Sequence, residues 1–446
     1  METDGFQLVH GMRKNKNVGG MSALKFKRTK FACYAAYFTM SSVFCLPPLL
    51  FMTLRDMYGI SYTLLGTLVL VNFCTQLGID LIFTAFSKKF NVQKVVKVMP
   101  LITSLGLLIY AIFPMLFPRV AYVGLLLGTV TFSVSAGLSE VLLSPMIAAI
   151  PSENPQRDMS FLHSLYAFGV FTVVVISTLF LKLFGTENWM YLTMFFAALP
   201  ISAAVLFMLS PMPNMDKSEN VSKSTNTKRR TLATALCAAC IFFGSCAENV
   251  MSNWVSSYME NALHIDKAVG DILGVAAFAI LLGLTRIVYA RFGKNIILVL
   301  LIGMIGAAAC YLAAGLSTSV ILSFIACILT GMFTGMLWPG SLIMLEENVD
   351  GPSVGAYALM AASGDLGASV APQLMGIVVD GVSGSTFGAK MGVKLGLTAE
   401  QVGLKTGMLI SALFPILGIA VVLVIMRYFR KGKKSVLPIE NISNKA

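Results

Sequence analysis

Apolar runs of about 20 residues recur along the chain, separated by short polar or basic segments. They cover residues 31–52, 62–86, 98–117, 120–150, 159–184 and 190–209, then resume after a polar break at 232–258, 269–290, 296–316, 320–345, 353–379 and 406–429. The runs are continuous rather than alternating, which excludes a β-barrel and predicts helices long enough to cross ~30 Å of hydrocarbon. The pattern therefore predicts an all-α polytopic membrane protein with twelve transmembrane helices in two pseudo-symmetric six-helix bundles. The break, PMPNMDKSENVSKSTNTKRR, has the Ser/Asn/Lys composition of a linker. The expected organisation is a tail at 1–29, a first bundle at 30–210, a linker at 211–230, a second bundle at 231–430 and a tail at 431–446.

The two halves repeat weakly. Lys88-Lys89-Phe90-Asn91 follows the second span much as Ala290-Arg291-Phe292-Gly293 follows the eighth, and Pro145 in the fourth span has a counterpart in Pro339 of the tenth. Transporters built from such repeats bind their substrate where the repeats meet.

Composition agrees with the pattern. Of 446 residues 57% are hydrophobic and only 12% are charged, about half the charged share of a soluble domain. The net charge of +12 does not signal nucleic-acid binding. Lys and Arg gather in the tails and in the loops of one side: Arg13, Lys14, Lys16, Lys25, Lys27 and Arg28 precede the first span, Lys88, Lys89, Lys94 and Lys97 follow the second, and Arg430, Lys431, Lys433 and Lys434 follow the last. By the positive-inside rule both termini and the linker are cytoplasmic, as expected of a multi-pass plasma-membrane protein. The eight Cys fall almost entirely within apolar runs and read as small packing residues. No nucleotide-binding loop or HExxH occurs and the six-plus-six layout argues against an enzyme, so neither an ATP-driven pump nor an enzyme is expected, and no cofactor or metal is required. The expected partners are the lipid bilayer, a small-molecule substrate and protons, with the chain acting as a monomer.

Polar residues inside the spans carry the candidate chemistry, because an ionisable group in a lipid-buried helix normally faces a cavity or a partner. Glu140 stands within the fourth span, with Ser144 one turn further on the same face and Pro145 after it. His163 and Tyr166 open the fifth span. In the second span Asn72, Gln76 and Asp80 follow i, i+4, i+8 spacing, one stripe that looks inward either to line a cavity or to bond a neighbouring helix. Asp80, nearer the cytoplasmic end, is read as part of a gate with Lys88, Lys89, Arg286 and Arg291. Glu346 and Glu347 close the tenth span on the same side, either as gate contacts or as a solvated helix end. The seventh span carries Glu248, with Asn249 and Asn253 on a shared face. Desolvation disfavours the charged form of a mid-membrane carboxyl, so Glu140 and Glu248 are the candidate proton-coupling acids. The alternative is a fixed pairing with Arg286 or His163. Trp338, beside the helix-breaking Pro339, is a candidate for stacking on a ligand, and Asp365 and Gln373 lie on the glycine-rich eleventh span. Trp189 and Trp254 lie near span ends, where aromatic residues anchor at the interface.

The stretch from Glu140 to Gly169 resembles the major facilitator superfamily, and within it the fucose–proton symporter family. The matching residues are Glu140, Ser144-Pro145 and the segment Leu162-His163-Ser164-Leu165-Tyr166-Ala167-Phe168-Gly169. Trp338-Pro339 is similar to the family's aromatic–proline pair, and Ser363-Gly364-Asp365-Leu366-Gly367 through Pro372 and Asp380 is similar to its glycine-rich helix. The resemblance implies the major facilitator fold and a proton-coupled carrier in which Glu140 is the substrate-linked protonation site. The family's acid on the first helix has no match, Lys88 and Asn91 replace the usual Asp and Gly of the loop after the second helix, and His163 and Tyr166 replace Gln and Asn. The function expected is a secondary active transporter that takes up a sugar or other small hydrophilic metabolite with protons by alternating access. Efflux of amphipathic compounds and a non-transporting membrane sensor are the alternatives.

The charge asymmetry generates the first prediction. With the native cysteines replaced, a single cysteine at Ser224 will resist a membrane-impermeant maleimide added to intact cells and react after permeabilisation; free labelling from outside reverses the assigned topology.

Overall fold

The computed structural model describes residues 26–86, 90–152, 155–213, 227–349 and 354–434, and among these there is no strand. Eleven helices among the described residues are long and apolar enough to cross a membrane. The remaining expected span, the fifth, is the helix Pro155–Phe184, whose described apolar part is Phe168–Phe184. Twelve helical spans thus follow the twelve apolar runs.

The chain forms two compact units, one of Met1–Glu219 with Asn253–Ile280, the other of Asn220–Ser252 with Leu281–Ala446. The sequence puts the divide at the linker alone; in the structure Asn253–Ile280 groups with the first unit. The first unit contains α1 (Lys27–Leu49), α2 (Phe51–Tyr58), α3 (Tyr62–Phe86), α4 (Val92–Leu116), α5 (Ala121–Ala149), α6 (Pro155–Phe184) and α7 (Trp189–Met208). Within it α4 packs on α5 and α7, α1 on α6 and α7, and α3 on α5. The chain continues through α8 (Thr227–Ser257), α9 (Ala277–Phe292), α10 (Ile296–Leu316), α11 (Val320–Thr334), α12 (Leu337–Asn348), α13 (Val354–Ser383), α14 (Thr386–Leu395), α15 (Ala399–Ser411) and α16 (Leu413–Lys434). In the second unit α13 packs on α15, and α10 on α11, α15 and α16.

Helix ends follow local chemistry. Asn91 caps α4 by accepting from the Lys94 amide at 3.1 Å, and Asn295 caps α10 by accepting from Leu298 at 3.3 Å. These are the third helix of each half, so the weak repeat reappears as a shared start signal. Proline marks the interruptions. Pro47 and Pro48 lie in the last turn of α1, and α2 then ends at Gly59 in the left-handed region, φ +64°. Two spans are built from two helices each: α11 and α12 form the tenth, and α15 and α16 the twelfth.

Three expectations change. The twelfth span begins at Ala399 rather than near 406, because Thr398 and Gln401 form a reciprocal capping box that starts the helix two turns earlier. The segment before it holds an additional short helix, α14, capped by Ser385 and stopped by Gly396 at φ +66°. Trp189 and Trp254 are not interfacial anchors: both are fully buried. Trp254 is held by Phe51 and Tyr62, with ring centroids at 5.4 and 5.7 Å, and Trp189 meets Tyr110 edge-on at 6.0 Å.

Small residues set the α4–α5 spacing, as expected where lipid supplies no hydrophobic drive and close packing must hold helices together. A Cβ on Gly106 would meet the Phe132 backbone amide at 2.4 Å, and one on Gly128 would meet the Tyr110 backbone at 2.7 Å. Gly78 on α3 faces open space. Gly128→Ala will therefore destabilise the detergent-purified protein by about 1–3 kcal/mol, the usual cost of overpacking. Gly78→Ala will stay within about 1 kcal/mol of the parent; equal melting temperatures for the two variants would contradict the close approach.

Candidate functional site

The polar stripe of α3 meets the polar stripe of α5 rung by rung. Asn72 Oδ1 accepts from Ser133 Oγ at 2.6 Å and from Gln76 Nε2 at 3.0 Å. Asn72 and Gln76 are buried, at 7% and 1% exposure, which fits interhelical bonding. One turn along, Gly137 leaves room for α3: a Cβ there would lie 3.1 Å from the Gln76 carbonyl oxygen and 3.2 Å from Asp80 Oδ1. Asp80 Oδ1 is buried without a hydrogen-bond partner, and its carboxyl lies close enough to Glu140 to interact electrostatically. Residue numbers on both helices rise together along this seam, so α3 and α5 run parallel.

Glu140 follows Gly137 by three residues and precedes Ser144 by four. At about 100° per residue the three share one face. Glu140 is accessible and Ser144 is half-buried. Among the described residues no Lys or Arg forms an ion pair with Glu140. Tyr166 on α6 is half-buried and meets Phe44 of α1 edge-on at 5.9 Å; Phe44 in turn lies 5.9 Å from Phe73 on α3. The first unit therefore offers an accessible acid with a hydroxyl one turn away on α5, and a hydroxyl-bearing aromatic group on α6. These can bond and stack on a hydroxylated solute.

The second unit carries the other candidates. Asn249 on α8 donates to the carbonyl and the hydroxyl of Ser245 at 3.1 and 3.2 Å, and Ser245 donates to the Gly364 carbonyl of α13 at 2.6 Å. Trp338 on α12 lies over Gly364, where a Cβ would meet its ring at 2.4 Å. Asp365 is buried at 3% exposure, and Gln373 Oε1 is buried without a partner. Glu248 pairs with Arg286 at 3.4 Å.

The family profile described as Major Facilitator Superfamily matches residues 31–372. The chain belongs to the Major Facilitator Superfamily. Among curated protein sequences none matches it. The fold is shared with solved members. A bacterial homolog of the human lysosomal transporter Spinster, inward-facing and occupied, superposes with a TM-score of 0.71 at 14% identity over 90% of this chain and 97% of that one. A D-xylose–proton symporter gives 0.68 at 12% identity over 87% and 96%. The E. coli fucose:proton symporter gives 0.56 at 14% identity over 91% and 99%.

Against this superfamily fold the remaining sequence candidates fall as follows. Arg286 pairs with Glu248, one of the two alternatives the sequence offers, and donates to the Gly335 carbonyl. Arg291 is exposed beside Phe292, its guanidinium 5.5 Å from the ring centroid. Asp80 lies in the α3–α5 seam. Glu346 and Glu347 are exposed, and Glu346 accepts from Tyr357 at 3.0 Å. Asn253 is buried. Lys88 and Lys89 lie outside the described residues, and so does the side chain of His163.

One cluster escaped the sequence reading. Lys267 Nζ lies 3.2 Å from Asp271 and 3.7 Å from Glu260, and Ser256 donates to Asp271. Two π-helical stretches, Tyr258–Ala262 and Gly270–Ala276, flank it. The i, i+4 spacing of Lys267 and Asp271 was legible. The π turns that bring Glu260 and Ser256 to them leave no sequence pattern.

The hydrogen bonds of Asn72 yield a test. Asn72→Ala removes the acceptor of the buried Gln76 amide and the interhelical acceptor of Ser133, whose hydroxyl keeps the Thr129 carbonyl of its own helix, and will lower stability by about 1–3 kcal/mol. A stability unchanged within error in thermal unfolding would assign Asn72 to ligand contact instead of helix bonding.

Proposed function

We propose that the chain is a proton-coupled secondary transporter that takes up a sugar or other small hydrophilic metabolite across the plasma membrane by alternating access, with both termini cytoplasmic. The observation that carries this reading is Glu140: an accessible carboxyl on a spanning helix, beside a second acid and without a cationic partner among the described residues. Leaving a carboxylate uncompensated within a helical bundle costs several kcal/mol. Protonation removes that cost, and a substrate hydroxyl bonded to the acid offsets it in another way. Proton and substrate occupancy are then linked, and each must alter the affinity of the other by the same factor. Ser144 and Tyr166 are the further candidate contacts of the first unit; Asn249, Trp338 and Gln373 are the candidates that the second unit carries. Glu248 already has Arg286, so Glu140 is the leading acid. The sugar–proton symporters among the structural relatives support the substrate class by their fold alone.

Binding is read first, by a thermal-shift screen of purified protein against sugars, nucleosides and related metabolites, because a ligand specific to the folded state raises its stability. Transport of the best ligand is then followed in proteoliposomes under an imposed pH gradient. Glu140→Gln, which fixes the side chain neutral, will retain binding and counterflow exchange within a few-fold and lose uphill accumulation. Accumulation by Glu140→Gln with unchanged pH dependence would refute the assignment.

A further inference from the structure

The tenth span breaks between α11 and α12, at Gly335 and Met336. The break has a covalent cause. In an unbroken helix the Gly335 carbonyl would accept from the amide four residues on, and that residue is Pro339, which has no N–H. The ladder resumes immediately afterwards, with Gly340 N–H donating to the Met336 carbonyl at 2.8 Å, and it is intact before, with Gly335 N–H donating to Gly331 at 3.1 Å. One carbonyl in the span is thus orphaned by sequence. In hydrocarbon it cannot turn to water.

A side chain fills the vacancy. Arg286 Nε, from α9, donates to the Gly335 carbonyl at 2.8 Å. On the preceding turn Thr285 Oγ1 lies 3.1 Å from the Met332 carbonyl and 2.9 Å from the Leu281 carbonyl of its own helix, with one hydrogen to share between them. Gly335 itself permits the approach, since a Cβ there would meet the Leu282 carbonyl at 2.8 Å. The far side of the same guanidinium reaches Glu248 on α8, its Nη2 at 3.4 Å from Oε1, while Glu248 Oε2 is buried without a partner. Arginine suits this place because its planar fork can serve two acceptors at fixed angles, which a lysine ammonium on a flexible stem does not reproduce.

We infer that Arg286 is a positioning residue: it supplies the hydrogen bond that Pro339 removes, is itself oriented by Glu248, and thereby sets the bend of the tenth span and the pose of Trp338 against Gly364. Trp338 directly precedes Pro339, so the angle at the break fixes where its indole lies. The state of Glu248 is then transmitted to an aromatic side chain on another helix through one guanidinium. Only the role of Trp338 as a ligand contact rests on the transport reading; the coupling itself needs no ligand.

The test uses full-length protein labelled with 5-fluorotryptophan, purified in detergent, with the Trp338 fluorine resonance assigned by Trp338→Phe. Arg286→Gln is expected to shift or broaden the Trp338 resonance and to lower the melting temperature by several degrees. Glu248→Gln is expected to move the resonance in the same direction by a smaller amount. The decisive comparison is Pro339→Ala, which restores the backbone donor: in that background Arg286→Gln and Glu248→Gln should move Trp338 by less than a third as much, the signature of two changes acting through one bond. If Arg286→Gln does not fold, the Glu248→Gln pair with and without Pro339→Ala decides alone. A Trp338 resonance indifferent to both variants, or one that moves equally in the two backgrounds, overturns the inference. Neither result depends on whether a substrate is found, so failure of transport and failure of this coupling are separate outcomes.

Discussion

Hydrocarbon offers no hydrogen-bond partner to a peptide group, and every interruption of a spanning helix in this protein has to be reconciled with that constraint. Where Pro339 deletes a donor, a side chain from α9 replaces it. Where α1 reaches Pro47 and Pro48, the Leu50 amide still bonds back to Leu46 and Pro47, at 3.2 and 3.0 Å. Polar side chains obey the same rule. Ser104, Ser135 and Ser245 each donate to a carbonyl of a neighbouring helix, so that hydroxyls within the spans also act as ties between helices. Among the described residues nine buried side-chain atoms lack a partner, and three of them, Asp80 Oδ1, Glu248 Oε2 and Gln373 Oε1, belong to candidate residues.

The layout was legible in the sequence because bilayer thickness imposes a length on every apolar run, and length survives any arrangement of the helices. The fold class followed from that alone. Position along a helix was legible as well: the spacing of Asn72, Gln76 and Asp80 announced a single face, and Trp338-Pro339 announced a break. What the runs could not show was which helix each face meets. Arg286 reads either as a gate residue or as the partner of a membrane acid until α8 and α11 are placed against it, and its bond to the Gly335 carbonyl has no sequence sign. Trp189 and Trp254 read as anchors for the same reason, since a window of sequence does not reveal whether Phe51, Tyr62 or Tyr110 encloses them. The π-helical stretches around Lys267 are a further case: an inserted residue in a helix changes which side chains meet without altering composition or hydropathy.

The paired acids of the two units differ in how they are accommodated. Glu248 has a guanidinium beside it, Arg286 Nη2 lying 3.4 Å from Oε1. The same guanidinium bonds the Gly335 carbonyl, so the pair fixes an orientation as well as a charge. Asp80 and Glu140 have each other, two acids set near one another along the α3–α5 seam. One unit thus gives its acid a cationic partner, while the other sets two acids side by side.

The α3–α5 seam also constrains how the protein is made. Ser133, which completes Asn72, lies 61 residues further along the chain. The second span therefore reaches the bilayer with its polar face unmatched, carried by a mean hydropathy of 1.6 over its best window. Its partner arrives only after a third span has been synthesised and turned back. The first unit cannot be finished as successive hairpins. The tie between α3 and α5 can close only once the fourth span is in place, and the bare backbone at Gly137 leaves room for it.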